Sequence, residues 1–289
     1  MNKKLIKEMF NTSELPIIEF GLQDVSQKAQ QMAGKLSISG VQPKLSMKLD
    51  RKNNSLISVA EGGEYILKPQ TAAFPNIPEN EQCCMDIAAE FKIDVPPHCL
   101  LPLKDGSLAY IVKRFDRESG MKIHQEEFSQ ILESGNKYNG SVEQIGRKLK
   151  EISTAPGYDV QLFFERVVFN FIIGNGDAHL KNYSISYKDK ETIRLTPVYD
   201  IVCSKLVIPG EEDSALSIIG TKNKLKREDF DKLADYLNIP IKIRFEKFEK
   251  SLDLMEKIIK NSEIKKEAQE QFINIIKERL SRMDLAGEE

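Results

Sequence analysis

The stretch GNGDAHLKNYSI, residues 174–185, concentrates side chains that can do chemistry. It holds the carboxylate of Asp177, the imidazole of His179, the ammonium of Lys181 and the amide of Asn182, and it directly follows the apolar segment DVQLFFERVVFNFI. A polar turn closed by an Asx hydrogen bond would explain an isolated Gly-Asp pair. The alternative interpretation is a catalytic loop, which requires a carboxylate, a cation and an amide beside a buried element.

A second segment, LTPVYDIVCS, places Asp200 eighteen residues after Asn182, at the end of what we expect to be an apolar strand. In protein kinases one Asp aligns and deprotonates the acceptor hydroxyl, while an Asn and another Asp hold magnesium on the phosphates. The kinase signature separates its Asp and Asn by the same five positions as Asp177 and Asn182, although HRD and DFG are absent here. The pattern therefore predicts phosphoryl transfer, with Asp177 as the base and Asn182 and Asp200 as magnesium ligands.

Two further features fit a nucleotide site. Lys68 lies in EYILKPQ, a predicted strand, where a kinase small lobe carries its phosphate-binding lysine. Either Glu81 or Glu90 of the following helix could pair with it, and a solvated strand-end lysine is the alternative. The segment SISGVQPK, residues 37–44, offers hydroxyl, amide and backbone donors that can cradle phosphates, although it matches neither GxGxxG nor Walker A.

The elements that must position these residues change in character along the chain. Residues 37–117 contain short strand-like stretches, hairpin turns at DRKNN and KDGS, and one helix in NEQCCMDIAAEF. Further on, DVQLFFERVVFNFI has apolar residues at helical spacing and ends at Gly174, and residues 226–283 are amphipathic enough for three closing helices. The sequence thus predicts a strand-rich part, a helical part and a ligand cleft between them.

Composition excludes several classes of protein. The 289 residues include 42 Lys+Arg and 44 Asp+Glu, so no global positive charge favours nucleic acid. No apolar run approaches the roughly 18 residues of a membrane span, and MNKKLIKEMFNTSE lacks a signal-peptide core. Four cysteines and three histidines show no zinc spacing, which favours reduced thiols and, for any metal, oxygen ligands typical of magnesium or manganese. We expect a cytoplasmic protein with no direct contact to membrane or nucleic acid.

Seven motifs carry a family resemblance: SISGVQPKLSMKL, YILKP, NEQCCMDIA, YIVKRFDR, HQEEFSQIL, FNFIIGNGDAHLKNYSI and LTPVYDIVCS. Their order and approximate spacing resemble those of the HipA-like serine/threonine kinase toxins, from about Ser37 to Ser204. The chain is most similar to the short HipT type of tripartite HipBST toxin–antitoxin systems, because little sequence precedes SISG and because Ser37 and Ser39 form a double serine. The resemblance implies an α+β, bilobed protein-kinase-like fold, with a β-rich small lobe at 1–115 and an all-helical large lobe at 116–289.

The resemblance also implies the site residues, with ATP and Mg²⁺ as cofactors. Asp177 is the catalytic base, His179 and Lys181 line the catalytic loop, and Asn182 and Asp200 hold the metal. The implied nucleotide-binding set comprises the phosphate loop Ser39, Gly40, Val41, Gln42, Pro43 and Lys44, the phosphate contact Lys68, the hinge Lys113, Arg114 and Phe115, the ribose contact Asp116, and His179, Asn182 and Asp200. Longer members have Glu-Arg-Phe-Asp at the hinge, whereas KRFD here offers no carboxylate at the first position.

The implied function is growth inhibition by phosphorylation of an aminoacyl-tRNA synthetase, the tryptophanyl enzyme in HipT-like proteins and the glutamyl enzyme in HipA. A HipS-like small antitoxin and a HipB-like DNA-binding protein are the implied partners. The resemblance implies autophosphorylation at Ser37 or Ser39, where a phosphate would repel the anionic tail of ATP and act as a brake. The alternatives are a small-molecule kinase and a catalytically silent pseudokinase scaffold for antitoxin partners.

Overall fold

The chain is divided into two compact units. The first comprises Met1–Gln82 and Pro96–Met121, and the second comprises Cys83–Val95 and Lys122–Glu289. The structure is a computed structural model that describes residues 3–33, 43–74, 76–118, 120–189, 191–208 and 210–286.

An antiparallel five-stranded sheet forms the centre of the first unit. Its strands are β1 (Leu45–Asp50), β2 (Ser55–Ser58), β3 (Tyr65–Pro69), β4 (His98–Pro102) and β5 (Leu108–Lys113), in the order β2-β1-β3-β5-β4. The alternation of LSMKLD buries Leu45, Met47 and Leu49 on one face of β1. The predicted hairpins β1-β2 and β4-β5 are confirmed, and Gly106 supplies the positive φ, +81°, that the second turn requires.

Two helices of the first unit, α1 (Lys3–Phe10) and α2 (Leu22–Ala33), were not predicted from the sequence. Helix α1 packs on the sheet because its apolar residues recur at helical spacing. Its Phe10 ring lies 5.2 Å from that of Tyr65, and the Tyr65 hydroxyl donates a 2.9 Å hydrogen bond to the carbonyl of Met9. The sheet core therefore includes residues that precede every predicted strand.

Helix α3 (Ile77–Glu90) is the predicted helix that interrupts the strands. Its Cys84, Ile87 and Ala88 are buried, as the helical spacing predicts. The first turns of α3 belong to the first unit and its later turns to the second.

Helix α6 (Pro156–Ile172) forms the buried centre of the second unit. Its Phe163 ring packs edge-on against Tyr183 at 5.2 Å, and its Phe171 ring lies 4.9 Å from Phe230. Gly174 follows with a φ of +70°, the left-handed position that commonly ends a helix. The other helices of this unit are α4 (Phe128–Ile131), α5 (Val142–Ile152), α7 (Arg227–Leu237), α8 (Leu252–Lys260) and α9 (Lys266–Arg282), of which the last three are the predicted closing helices.

The second unit also contains a sheet, a difference from the all-helical large lobe that was predicted. Its strands are β8 (His124–Glu127), β9 (Ser184–Tyr187) and β10 (Ile193–Leu195), which pair antiparallel in the order β10-β9-β8. A separate two-stranded sheet, β6 (Arg117–Glu118) and β7 (Met121–Lys122), precedes them in the chain. Strand β9 is the predicted YSISY strand, and it begins directly after the loop that contains Asp177.

The strand predicted to end at Asp200 is not formed, and that expectation was wrong. Strand β10 stops at Leu195, and residues 196–203 have no regular secondary structure. Pro197 lacks the N–H that would continue a ladder. Asp200 has a φ of +60°, a left-handed conformation that Asp tolerates better than most residues.

Candidate active site

The loop that follows α6 is tied to that helix by buried amide side chains. Asn175 Nδ2 donates to Asn170 Oδ1 at 2.9 Å, and Asn170 Nδ2 donates to the hydroxyl of Tyr183 at 3.2 Å. The backbone N–H of Asp177 donates to Asn175 Oδ1 at 3.3 Å. Both ends of the loop are therefore held by Asn170, which fixes the backbone that carries Asp177. Sequence analysis did not single out either Asn, although polar residues at the end of an apolar helix are a usable signal.

The Asp177 carboxylate receives a hydrogen bond from a residue that sequence analysis missed. Tyr138, in the loop before α5, donates from its hydroxyl to Asp177 Oδ1 at 2.8 Å. Its ring also lies edge-on to His179, with 5.4 Å between the centroids. Burial, together with the hydrogen bond to Asp177 and that residue's charge, raises the pKa of Tyr138 to about 12. The phenol is therefore a protonated donor at neutral pH.

The predicted metal pair comes together in the structure. Asn182 closes a 3₁₀ turn, Leu180–Asn182, in which its Oδ1 accepts the backbone N–H of His179 at 2.9 Å. Its Nδ2 donates to Asp200 Oδ2 at 3.3 Å, across 18 residues of sequence. The amide and the carboxylate are thus within direct reach of each other.

The cavity beside this pair is lined by a carboxylate, by amide side chains and by one guanidinium. A small cavity with room for about one water molecule is lined by Asn182, Asp200, Asn175 and Arg166, among others. Magnesium in phosphoryl-transfer sites is commonly held by one or two carboxylates together with phosphate oxygens and water. The described ranges contain no group of three or more His, Cys, Asp or Glu side chains that could hold a metal ion. The oxygens of Asn182 and Asp200 are hard ligands of the kind that magnesium takes, and metal binding by this pair stays a prediction.

The other two predicted residues of the catalytic loop differ in exposure. His179 is 6% exposed, and burial lowers its pKa although the charge of Asp177 opposes that effect, so the imidazole is neutral at pH 7. Lys181 is exposed, and its backbone carbonyl accepts a 2.9 Å hydrogen bond from the hydroxyl of Tyr199.

A second carboxylate, that of Glu211, lies beside the Asp177 loop. The Ser204 hydroxyl donates to Glu211 Oε2 at 2.5 Å. Burial, followed by the negative charge of Asp177, raises the pKa of Glu211. A Cβ on Gly176 would lie 2.4 Å from the carbonyl oxygen of Glu212 and 2.6 Å from the Glu211 carboxyl, so this close approach requires glycine.

In the first unit, Lys68 is buried and ion-paired. Its Nζ lies 2.6 Å from Glu81 Oε1, and the two side chains are only 6% and 1% exposed. The ammonium also lies 5.7 Å from the ring centroid of Tyr110, its partner across β3 and β5. Of the two candidate partners, the structure thus pairs Glu81 with Lys68, while Glu90 is exposed. The alternative of a solvated lysine is wrong.

The predicted hinge follows directly from β5. The backbone N–H groups of Lys113 and Arg114 donate to the carbonyls of Pro97 and Glu64, at 2.9 and 2.8 Å. These two donors are engaged within the unit, and adenine binding by Lys113, Arg114 and Phe115 stays a prediction.

Asp116, the predicted ribose contact, accepts hydrogen bonds from two guanidinium groups. Arg114 Nε and Nη2 reach its two oxygens at 2.8 and 2.7 Å, and Arg117 Nη1 lies 2.6 Å from Oδ2. Burial favours the neutral acid, but the two arginines outweigh it and lower the pKa of Asp116. A ribose contact from this carboxylate also stays a prediction.

The predicted phosphate loop, residues 39–44, is described only at its last two residues. Ser37, Ser39, Gly40, Val41 and Gln42 lie outside the described residues. The two remaining members of the predicted set are Pro43, which is half-buried, and Lys44, which is exposed immediately before β1.

Residues 36–276 match the HipA-like C-terminal domain family, and the chain belongs to that family. It is 39% identical over 213 residues to a Sinorhizobium fredii protein named "Putative kinase Y4dM", a match that covers 68% of this chain and 51% of that protein. A Haemophilus influenzae protein named "Putative kinase" is 32% identical over 202 residues, which are 65% of this chain and 58% of that protein. The chain spans little more than half the length of these relatives.

Two solved structures share the fold. One is from the toxin–antitoxin complex of HipA, HipB and operator DNA of Shewanella oneidensis MR-1, with a TM-score of 0.74, 19% identity and coverage of 94% of this chain and 74% of that one. The other is the Helicobacter pylori proinflammatory kinase CtkA, with a TM-score of 0.57, 15% identity and coverage of 88% and 93% respectively. The predicted kinase-like α+β fold is confirmed. In the part of the chain that the structure describes, no helix is long and apolar enough to cross a membrane.

Proposed function

We propose that this protein is an ATP-dependent serine/threonine protein kinase that acts as the toxin of a toxin–antitoxin system. Membership of the HipA-like family and the names of its relatives support kinase activity. The observation that carries the proposal is the contact of Asn182 with Asp200, because the sequence spacing alone assigned this pair to a metal-bound nucleotide and the fold brings the two side chains to 3.3 Å.

The residues take distinct roles in the proposed reaction. Asp177 accepts the proton of the acceptor hydroxyl, whose oxygen bonds to the γ-phosphorus as the bond to the departing ADP breaks. Asn182 and Asp200 would hold Mg²⁺, which neutralises charge on the phosphates when bound. Within the first unit, the buried Lys68 is our candidate for phosphate binding, since Glu81 holds its ammonium in a fixed position.

The phosphotransfer experiment uses intact-protein mass spectrometry after incubation with ATP and Mg²⁺, followed by peptide mapping. We expect added phosphate on Ser37 or Ser39 of the wild type and none on Asp177→Asn. The matched control is Asp253→Asn, because Asp253 is an exposed carboxylate on α8, and this variant should behave as the wild type does.

Two results would redirect the proposal. Retained nucleotide binding without phosphate transfer to the chain or to any protein would favour a pseudokinase scaffold. Transfer to hydroxylated small molecules but to no protein would identify a small-molecule kinase.

The proposed cellular role rests on the family and on the toxin–antitoxin complex of the similar HipA structure. We propose an aminoacyl-tRNA synthetase as the substrate, with the tryptophanyl enzyme tested first and the glutamyl enzyme beside it. HipS-like and HipB-like proteins are the proposed partners, so contact with DNA would be indirect. Expression of the chain should arrest growth, whereas Asp177→Asn should not, and an arrest that survives this substitution would contradict a kinase toxin.

A further inference from the structure

The hydroxyl of Tyr138 occupies one acceptor position on the carboxylate that we assign as the base. It donates to Asp177 Oδ1 at 2.8 Å, and an ionised carboxylate offers about four lone-pair positions over its two oxygens. Oδ2 therefore keeps room for the hydroxyl of an acceptor while Oδ1 is held. Two groups can thus share this carboxylate, one from the chain and one from the substrate.

The backbone around Tyr138 is fixed to the catalytic loop itself. The Lys137 carbonyl accepts the N–H of Leu180 at 3.1 Å, and the Tyr138 N–H donates to Asn136 Oδ1 at 2.9 Å. Lys222 Nζ donates to the Tyr138 carbonyl at 3.4 Å. Because these bonds hold the tyrosine on both sides, its hydroxyl is aimed at Asp177 by the fold.

We propose that Tyr138 is a positioning residue, whose hydroxyl holds Oδ1 of Asp177 and thereby directs Oδ2 towards the acceptor hydroxyl. The inference rests on the proposed kinase function. Tyr138 keeps its proton throughout, and the acceptor's proton passes to Oδ2 of Asp177. Holding the base in one rotamer increases the rate, because the carboxylate is already oriented towards the acceptor hydroxyl.

The charged and titratable groups around this carboxylate come from three segments. Tyr138 donates to it from the loop before α5, where Lys137 interacts electrostatically with His179, and His179 shares the loop of Asp177. Glu211 interacts with it electrostatically from the segment after Ser204. A Phe substitution at 138 changes none of these charges, so a change in kcat would report the lost hydrogen bond.

The variant that tests the proposal is Tyr138→Phe, and Tyr236→Phe is its matched control. Both tyrosines are partly exposed, 41% and 49%, so loss of either hydroxyl should leave the fold intact. We expect Tyr138→Phe to lower kcat about tenfold with the KM for ATP unchanged, because the base is less well oriented while the nucleotide still binds. Tyr236→Phe should match the wild type in both quantities.

A measurement without turnover makes the test independent of the proposed function. Crystal structures of the wild type and of Tyr138→Phe compare the side-chain torsion angles of Asp177. We expect the carboxylate to leave its wild-type rotamer in Tyr138→Phe, and an unchanged rotamer of Asp177 would overturn the inference. An increase in kcat would overturn it too, since the tyrosine would then block the base.

The outcomes separate the two proposals. If Asp177→Asn transfers phosphate as fast as the wild type, the kinase assignment fails, whatever Tyr138→Phe does. If Asp177→Asn is inactive while Tyr138→Phe equals the wild type in kcat and in KM, the kinase assignment stands and the role of Tyr138 is refuted.

Discussion

The buried ion pair of Lys68 and Glu81 makes a prediction in which stability and function can be separated. At 2.6 Å between Nζ and Oε1, the attraction is about 6 kcal/mol at an effective dielectric constant of about 20, most of which offsets the cost of burying both charges. The substitution Lys68→Met keeps the length of the side chain but removes the ammonium. It leaves the Glu81 carboxylate, 1% exposed, without its cation.

We expect Lys68→Met to lower the free energy of unfolding of the first unit by about 3 kcal/mol. The double variant Lys68→Met, Glu81→Gln should recover most of that loss, because the uncompensated buried charge is removed. Neither variant should bind ATP as the wild type does, since the proposed phosphate-binding ammonium is absent from both.

Urea denaturation followed by far-UV circular dichroism measures the stabilities, and calorimetric titration measures ATP binding. The three variants Lys68→Met, Glu81→Gln and the double variant form a mutant cycle that isolates the coupling between the two side chains. A Lys68→Met protein as stable as the wild type would refute the account of the ion pair. A stable double variant that still binds ATP with wild-type affinity would refute the phosphate-binding role alone.

Two further predictions concern the second unit. Gly176→Ala should slow phosphate transfer at least tenfold, because the added methyl group meets the Glu212 carbonyl and the loop must shift. The rate of phosphate transfer is compared with that of the control Gly157→Ala, where a Cβ meets nothing within 4 Å. Equal rates in the two variants would contradict this prediction. Asp213→Asn should lower stability at pH 7 by about 3 kcal/mol, because it leaves the buried guanidinium of Arg279 with only the exposed carboxylate of Glu278 as a partner. Burial favours the neutral acid, but Arg282 and Arg279 outweigh it and lower the pKa of Asp213. The stability that the ionised Asp213 contributes is therefore present above pH ~4 and is lost as the pH falls through its folded-state pKa. The free energy of unfolding, measured by denaturation across this pH range, should depend less on pH in Asp213→Asn than in the wild type. An equal pH dependence in the two proteins would contradict this prediction.

Local patterns in the sequence were sufficient for several elements of the fold. The apolar spacing in DVQLFFERVVFNFI predicts α6, and the turn residues at Asp105 and Gly106 predict the hairpin of β4 and β5. The pairing of Asn182 with Asp200 was also predictable, because phosphoryl transfer requires an amide and a carboxylate in that order. In each case the information lies within a short segment or in the chemistry of the residue types.

Features that depend on tertiary contacts were not predictable. Tyr138 lies 39 residues from Asp177, and no periodicity or spacing links a loop tyrosine to a distant carboxylate. Glu81 and Glu90 lie on opposite sides of α3, and only the packing of that helix shows which side meets Lys68. Apolar composition predicted a strand up to Asp200, but Pro197 and the left-handed backbone of Asp200 prevented it.

Phosphate transfer from ATP, measured as a function of Mg²⁺ concentration in the wild type and in Asp200→Asn, tests the proposed site most directly. The substitution keeps the size of the side chain and removes one anionic oxygen beside Asn182. We predict Mg²⁺-dependent transfer by the wild type and a loss of about 100-fold or more in Asp200→Asn at saturating Mg²⁺. Equal rates in the two proteins would contradict the assignment of Asn182 and Asp200 as the metal-binding pair of a kinase.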